Sequence, residues 1–531
     1  MARVPEAPES PATAYVTARA ASISGNHGQA AQIYARLAAR SSDNALGERA
    51  ISEAIRAGDT ALALRLIGRA GEASSIDSKL LVIADALKHG RTEQALKFVA
   101  RSETGADLSF WDPLVRAWDA AERRNPSGAL AILAQVPRNS ALFPFVDEES
   151  AFILLKAGKA AEAEPYARRA IGSAGAREYR LRLALAAGFA AARDRQRALA
   201  MLEGIPGDTT AIRRALDSGG MKSIAIDSAA RAFSDQLVAL ALQLRQSGRD
   251  PDSALNTARI AAFAAPDSSS AAILLGTMLA EQGRLANALA VLESVAANDP
   301  LKPEALDAQV RALVDNDRKQ EALAIAKAAA DRSGSGDDFA RLGDVYGELD
   351  RHVEAAEAYR QAVTRLRVVE NARIWPLLLL QASELESAGR WPEAKAALGS
   401  AIALAPDEPL ILNFLGYSKL ERGEDLDAAE ALIRKASELA PDNASITDSL
   451  GWALYKRGRF DQAIDVLQKA AVGDPAQAEI QEHLGDALYA AGRKFEARFA
   501  WQAALATADE KDTARIRSKI ESGLTTATAA R

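Results

Sequence analysis

A regular spacing of small residues is the feature that most constrains what this chain can fold into. In the second half of the sequence, alanine recurs at Ala254, Ala288, Ala322, Ala355, Ala394, Ala429, Ala463 and Ala497. The intervals are 34, 34, 33, 39, 35, 34 and 34 residues, and prolines keep the same phase. A period of this length is typical of a helix pair that cannot bury its apolar face alone and must stack on neighbouring pairs.

One complete unit, residues 444–477, shows how the pattern specifies two antiparallel helices. Gly451 and Ala463 are small, and we expect the two helix backbones to approach each other there. Gly458 falls where the first helix must end and the chain must reverse. The larger apolar residues recur at helical spacing and predict the buried stripes: Leu450, Leu454, Phe460 and Leu467.

This unit resembles the tetratricopeptide repeat (TPR) family. Places 7, 8, 11, 15, 17, 20, 24, 27 and 32 of the unit are Leu450, Gly451, Leu454, Gly458, Phe460, Ala463, Leu467, Ala470 and Pro475. In the first half the same spacing is less regular, at Ala30, Ala63, Ala95, Ala129, Ala163 and Ala198. We therefore expect an all-α fold, an α-solenoid of about 14 TPR or TPR-like helix pairs. The resemblance implies a right-handed superhelix.

Two irregular intervals predict how the solenoid is divided. Between Ala198 and Ala254 there are about 22 extra residues, and Pro206 and Gly219 interrupt the helical pattern on either side of a short helix. The predicted organisation is a disordered tail (1–13), a degenerate TPR-like array (14–205), an irregular linker or hinge (206–234), a TPR array (235–511), and a capping helix with a tail (512–531). In the second irregular interval, residues 365–374, we expect the second helix of a pair to be longer than in the other repeats, or a loop to follow it.

Composition argues against several kinds of function. The 65 basic and 71 acidic residues are interspersed and leave a formal charge of −6, so no electrostatic footprint for nucleic acid is present. The lack of cysteine removes disulfides and thiolate metal sites, and it fits a reducing or an oxidising compartment. No stretch reaches the roughly 18 apolar residues of a membrane span, and no export signal precedes the repeats. A mature exported form that begins at Met1 fits the sequence equally well.

The sequence offers no catalytic constellation. It contains no G-x-S-x-G elbow, Walker loop or H-E-x-x-H motif. Glu148 with Glu149, and Glu424 with Asp425, lie next to turns, and we expect solvated helix ends there rather than an acid/base pair. His483 has carboxylates nearby, but a metal site would need ligands from another segment, and packing within the repeat is favoured. We predict a protein that is not an enzyme and has no cofactor and no metal.

The remaining candidate is the concave surface, which in TPR arrays is lined mainly by places 2, 5, 9 and 12 of each first helix. In the last repeats these places are Leu410, Asn413, Tyr417 and Leu420; Ser445, Asp448, Trp452 and Tyr455; Glu479, Glu482, Asp486 and Tyr489. Large amphipathic rings are frequent anchors for a partner. We predict partner contacts at Asn413, Tyr417, Asp448, Trp452, Tyr455, Glu482, Asp486 and Tyr489. Alternatively, rings such as Tyr417 and Trp452 pack between adjacent first helices.

The carboxyl-terminal repeats also carry a more specific pattern. The segments are N-F-L-G-Y at 413–417, D-S-L-G-W at 448–452, E-H-L-G-D at 482–486 and W-Q-A-A-L at 501–505. They resemble a family of Gram-negative envelope TPR proteins that includes an outer-membrane lipoprotein adaptor of a periplasmic carboxyl-terminal processing protease. The resemblance is strong over the last 100 residues or so. The chain lacks that adaptor's export signal and lipobox cysteine, so lipid anchoring is not supported.

These observations predict a protein-protein interaction scaffold or adaptor. The resemblance implies a periplasmic or outer-membrane-associated protein whose partners are a periplasmic protease and its substrates. A cytoplasmic TPR scaffold is the alternative for the compartment. A structural protein that self-associates through its repeat faces is the alternative for the function.

Overall fold

A computed structural model describes residues 10–41, 43–70, 75–100, 107–205, 209–366 and 374–525. Within these residues the chain forms thirty α-helices and no strand. The helices belong to two compact units, residues 1–326 and 327–531. The all-helical class predicted from the sequence is confirmed.

The first unit contains eighteen complete helices in its described part. They are α1 (Pro11–Ile23), α2 (His27–Ala38), α3 (Asn44–Ala57), α4 (Thr60–Ala70), α5 (Ile76–Lys88), α6 (Thr92–Val99), α7 (Asp112–Glu122), α8 (Pro126–Leu133), α9 (Val146–Lys156), α10 (Ala160–Ser173), α11 (Glu178–Ala191), α12 (Arg195–Met201), α13 (Thr210–Ser218), α14 (Ala229–Ser247), α15 (Pro251–Ala264), α16 (Ser269–Glu281), α17 (Leu285–Glu293) and α18 (Lys302–Asp315). The boundary between the units falls within the next helix, α19 (Lys319–Ser333).

The second unit continues with eleven helices in its described part. They are α20 (Gly336–Gly347), α21 (His352–Leu366), α22 (Ile374–Ser387), α23 (Trp391–Leu404), α24 (Pro409–Glu421), α25 (Leu426–Leu439), α26 (Ala444–Lys456), α27 (Phe460–Gly473), α28 (Ala478–Ala490), α29 (Lys494–Thr507) and α30 (Glu510–Ser522). When α13 and α30 are set apart, the helices of the described residues fall in sequence order into fourteen pairs, as the alanine spacing predicts.

The periodic alanines mark the interior of the fold. All fourteen of them, from Ala30 to Ala497, have no exposed surface. The turn predicted at Gly458 is also present, because this residue adopts φ 72° between α26 and α27, in the left-handed region that glycine enters without strain. Asn443 starts α26 by accepting a hydrogen bond from the backbone N–H of Ile446 at 3.1 Å.

Glycine on the first helix allows the two helices of a pair to touch. A Cβ atom added to Gly451 would lie 2.5 Å from Leu467 Cγ on α27. At Gly416 an added Cβ would lie 2.6 Å from Ile433 Cγ1. Real side chains do not approach this closely, so a larger residue at place 8 would force the pair apart. The small residues of the repeat are therefore set by helix spacing.

In the first unit the chain turns back on itself after α13. The hairpin of α14 and α15 packs against α5, and α14 also packs against α7. Asn256 donates a hydrogen bond to Asp77 Oδ2 at 2.8 Å, and Lys88 Nζ donates to the carbonyl of Phe263 at 3.1 Å. The backbone N–H of Ala229 donates to Glu122 Oε1 at 3.0 Å. The first six helix pairs and this later hairpin thus share one core, which extends from Ala18 to Leu301.

The irregular segment 206–234 was expected to lie between two arrays, and the boundary between the two units falls elsewhere, at residues 326 and 327. The short helix anticipated there is α13, but the segment lies inside the first unit rather than at the boundary between units. After α13, residues 219–228 lead the chain to α14, which packs on the earlier helices. At the amino terminus α1 begins at Pro11, so residues 11–13 of the predicted tail are helical. Residues 1–9, and residues 367–373 of the predicted helix extension, lie outside the described residues.

We predict that Gly451→Ala lowers the free energy of unfolding of the second unit by about 1–2 kcal/mol. Alanine is a better helix former than glycine by up to about 1 kcal/mol. The overlap with Leu467 at 2.5 Å should outweigh that gain, because forcing an extra carbon into a packed interior costs about 1–3 kcal/mol. Urea denaturation followed by circular dichroism measures the difference.

The matched control is Gly399→Ala. Gly399 is exposed within α23, and an added Cβ would meet no atom within 4 Å. We expect this variant to be more stable than the parent by about 0.5–1 kcal/mol. Stabilisation of both variants by the same amount would contradict the close-contact explanation for place 8.

Candidate functional site

The residues predicted to contact a partner lie on three first helices of the second unit, α24, α26 and α28. The structure separates them into two groups. Four of the eight are buried: Asp448, Trp452, Glu482 and Asp486. The other four are partly exposed: Asn413, Tyr417, Tyr455 and Tyr489. Of these eight residues, only those in the second group have surface that a partner could contact.

Trp452 is a packing residue. Its ring has no exposed surface and lies between Tyr455 and His483, with ring centroids 4.6 Å and 4.1 Å away and planes 13° apart in both cases. Its Nε1 donates a hydrogen bond to Glu421 Oε1 at 2.7 Å. The alternative of ring packing between adjacent first helices therefore describes Trp452 in this structure.

The buried histidine of this stack is held by a carboxylate from the preceding repeat. His483 Nδ1 lies 2.8 Å from Asp448 Oδ2. Burial disfavours the charged imidazolium, but the Coulombic attraction of Asp448 and its hydrogen bond outweigh burial. The pKa of His483 is consequently raised above its ordinary value. Asp448 and His483 thus join α26 to α28 through a charge-assisted contact.

Glu482 and Asp486 hold the carboxyl-terminal helix against the array. Lys519 of α30 is fully buried, and its Nζ lies 2.6 Å from Glu482 Oε1 and 2.7 Å from Asp486 Oδ2. Trp501 Nε1 donates to Asp486 Oδ1 at 2.9 Å. Lys519 is a structural residue that the sequence reasoning did not identify. It lies three residues after the buried Ile516, and this helical spacing was the available signal.

The four partly exposed residues form what we call the polar-aromatic row: Asn413, Tyr417, Tyr455 and Tyr489. Tyr417 and Tyr455 pack on one apolar cluster that includes Trp452. The Tyr417 hydroxyl donates to Glu479 Oε1 at 3.5 Å, a long contact. Burial raises the pKa of Tyr417, and it raises the pKa of Tyr455 to about 12, so both stay neutral donors at physiological pH. Asn413 Oδ1 is buried and has no hydrogen-bond partner.

The first unit contains a cavity that the sequence did not predict. It has a volume of about 330 Å³ and is lined by α11, α14, α16, α18 and the segment 223–226. The apolar part of the lining includes Leu183, Ile224, Ile226, Val238, Leu274 and Leu301. The Tyr179 hydroxyl donates to Glu304 Oε1 at 2.6 Å, and burial raises the pKa of Glu304. The cavity exists because four first helices meet the insertion there, which no local pattern reveals.

The expectation of a solvated helix end at Glu148 and Glu149 was wrong. Both residues have only 1% of their surface exposed. Trp118 Nε1 and Gln236 Nε2 donate to Glu149 at 2.8 Å and 2.9 Å, and Arg177 pairs with Glu148 at 2.8 Å. Burial raises the pKa of both carboxyl groups. The cause is α14, which contributes Gln236 from a segment distant in sequence.

Comparisons with known proteins support the repeat assignment. The family model described as Tetratricopeptide repeat matches residues 238–303, 379–444 and 449–513. The comparison with curated proteins gave no match. In the described part of the chain, no helix is both long and apolar enough to cross a bilayer.

Solved structures similar to this chain include the following three. One is the crystal structure of the APC/C hetero-tetramer Cut9-Hcn1, with 15% identity, TM-score 0.38, and coverage of 97% of this chain and 96% of that one. A tetratricopeptide repeat protein from Parabacteroides merdae has 14% identity, TM-score 0.38, and coverage of 48% and 97%. MamA from Desulfovibrio magneticus has 16% identity, TM-score 0.28, and coverage of 32% and 94%. The repeat assignment itself rests on the family match and the helix pairs.

We predict that the contribution of His483 to stability depends on pH. Because the folded-state pKa is raised above 6.5, this contribution is fully present below pH 6.5 and is lost as the pH rises through the folded-state pKa. The difference in free energy of unfolding between the parent and His483→Gln should be about 1–3 kcal/mol at about pH 6 and smaller at about pH 9. Urea denaturation at the two pH values measures it.

Asp448→Asn serves as the companion variant because it removes the charge that holds the imidazolium. It should reduce the same pH-dependent part of the stability, while the charges of Glu479 and Asp486 remain. If the difference between the parent and His483→Gln grows with increasing pH, the histidine is held neutral in the folded state and this account of the pair fails.

Proposed function

We propose that this protein is a non-enzymatic scaffold that binds a protein partner along the polar-aromatic row. The main support for this proposal is that tetratricopeptide repeats at 379–444 and 449–513 present this row on successive first helices. Asn413 and Tyr417 lie on α24, Tyr455 on α26 and Tyr489 on α28. Each side chain combines surface for van der Waals contact with a group that can form hydrogen bonds, which suits protein recognition.

The buried residues behind the row prepare it for binding. Tyr455 stacks on Trp452, which is fixed by Glu421 and His483. The Tyr489 ring lies 5.5 Å from that of Trp501, and Trp501 is anchored by Asp486. A ring held in place in this way loses little conformational freedom when a partner binds, so more of the contact energy contributes to affinity. The buried half of the predicted site therefore supports binding indirectly.

The chemistry of the row favours a partner segment with an apolar anchor and free N–H groups. The three phenol rings offer apolar faces, and their hydroxyl oxygens can accept hydrogen bonds. Glu479 beside the row is exposed and adds another acceptor. An extended peptide carries both complementary features, an apolar side chain and backbone N–H donors.

The finer form of this proposal is an adaptor that delivers substrates to a carboxyl-terminal processing protease of the bacterial envelope. It is supported by the segments 413–417, 448–452, 482–486 and 501–505, which resemble the adaptor family. In that setting the protein would be periplasmic or associated with the outer membrane. A scaffold in the cytoplasm remains the competing version.

The test is affinity capture with the purified chain from separate envelope and cytoplasmic extracts, followed by affinity measurement with the captured partner. Tyr455→Ala and Tyr489→Ala should each lower the affinity for the partner by about tenfold or more, as expected for anchor residues at an interface. Circular dichroism must show that each variant remains helical.

Tyr346→Ala is the control, because Tyr346 is also partly exposed but lies on α20, away from the row. It should leave affinity unchanged. Equal losses for all three variants would contradict binding at the row. Capture of cytoplasmic proteins alone would refute the envelope version and leave the scaffold proposal standing.

Self-association is the second candidate function, and exposed aromatic rings on α29 favour it. Phe495 and Phe499 are 74% and 57% exposed and contact each other with ring centroids 4.9 Å apart. Exposed apolar side chains of this size are common at interfaces. Light scattering separates the two functions, because a protein that stays monomeric over a wide concentration range is not an obligate self-assembling protein.

A further inference from the structure

The cavity of the first unit has the dimensions of a small-molecule site. Its volume of about 330 Å³ lies within the range of roughly 300–1,000 Å³ that such sites occupy. It is lined by first helices of four pairs, namely α11, α14, α16 and α18. The insertion at 223–226 supplies a further side. This arrangement is a pocket between helices and not a flat repeat surface.

The walls of the cavity are mainly apolar. Leucine and isoleucine side chains from three helices and from the insertion face it, among them Leu183, Ile224 and Leu274. Removing the apolar surface of a ligand from water is favourable in proportion to the area covered. The site is therefore suited to an apolar body of modest size.

Two polar side-chain atoms among the lining residues are buried and have no hydrogen-bond partner, Ser223 Oγ and Glu304 Oε2. Buried polar atoms are almost always paired in folded proteins, because leaving one unpaired retains its desolvation cost. A ligand that hydrogen-bonds to these atoms would remove that cost, and the cluster points to a polar head group.

The charges around the cavity favour an uncharged head. Arg180 Nη1 lies 3.2 Å from Asp235 Oδ1, so an opposite charge already neutralises the guanidinium. Arg231 donates to the carbonyls of Lys222 and Ala225, and Arg245 lies 3.3 Å from Glu281. A carboxylate head would thus find no uncompensated cation. It would also approach Glu304.

The two unpaired atoms are both satisfied by a ligand that carries a donor and an acceptor. Glu304 accepts when it is ionised and can donate when it is protonated, and Ser223 can do either. An ammonium group offers donors alone, and a carboxylate offers acceptors alone. An amide offers an N–H and a carbonyl in one uncharged group.

We propose that this cavity binds a neutral amide attached to an apolar body, through Ser223 and Glu304. Two sources share this chemistry: a free small amide, and an apolar residue within a peptide. The site is separate from the polar-aromatic row, since its lining residues belong to the first unit. The proposal therefore stands or falls independently of the scaffold function.

Isothermal titration calorimetry on the full chain tests the head group with four probes: octanamide, octanoate, octylammonium and N-acetyl-leucinamide. We expect at least one amide to bind at least tenfold more tightly than both charged probes. Tighter binding of octanamide indicates a free small amide, and tighter binding of N-acetyl-leucinamide indicates a peptide. No amide binding, or equal binding of amides and charged probes, would overturn the proposal.

Ser270→Trp tests the location, because Ser270 lines the cavity and is partly exposed on α16. The large ring should obstruct the cavity and weaken amide binding at least tenfold. Asn287→Trp is the control, since Asn287 is exposed on α17 and does not line the cavity. It should bind the amide as the parent does. Equal binding by both tryptophan variants would overturn the assignment.

Ser223→Ala provides a variant that does not threaten the fold. The Ser223 hydroxyl oxygen has no partner, so its removal should leave the melting temperature unchanged or raise it. Affinity for the amide should fall about fivefold with the loss of one hydrogen bond. A lower melting temperature together with unchanged affinity would show that the hydroxyl is structural and would contradict the proposal.

Discussion

The close approach of two helices within each pair is the interaction on which the rest of this structure depends. It requires small residues at fixed places, such as Gly451 facing Leu467, and it sets the spacing at which each pair stacks on the next. Because a pair leaves an apolar face for its neighbour, stability within the second unit accumulates through nearest-neighbour contacts. The positions left free by packing, mainly on the first helices, are then available for binding. In the proposed function, stacking and recognition therefore use different residues of the same repeat.

The sequence predicted the helix pairs well because the signals for them are local. The spacing of Ala463 and its equivalents reports helix contacts within about 34 residues, and those alanines are indeed buried. The exposure of the site residues was predicted less well, because the burial of a side chain at places 5 or 9 depends on residues of neighbouring repeats. Trp452 is covered by His483 from the next repeat, and Asp486 by Lys519 from the terminal helix. Tyr417 and Tyr455 remain partly exposed.

The first unit shows where periodicity stops being informative. The hydrogen bond between Asp77 and Asn256 joins residues 179 positions apart, and nothing in either repeat indicates it. The same return of the chain buries Glu149 against Gln236 and creates the cavity beside α14. In physical terms, a repeat pattern specifies which face a helix buries against its neighbours. It does not specify which later segment packs against the remaining surface. The irregular insertion was the one visible sign that the regular stacking changes there.

The proposed function requires that buried residues of the last repeats support a partly exposed row that binds the partner. Hydroxyl-radical footprinting read by mass spectrometry tests this requirement by comparing the free protein with its complex with the captured partner. We expect Tyr417, Tyr455 and Tyr489 to be labelled in the free protein and protected in the complex, while Trp452, which has no exposed surface, is unlabelled in both. Strong labelling of Trp452 in the free protein, or tyrosines that are equally labelled with and without the partner, would contradict this requirement.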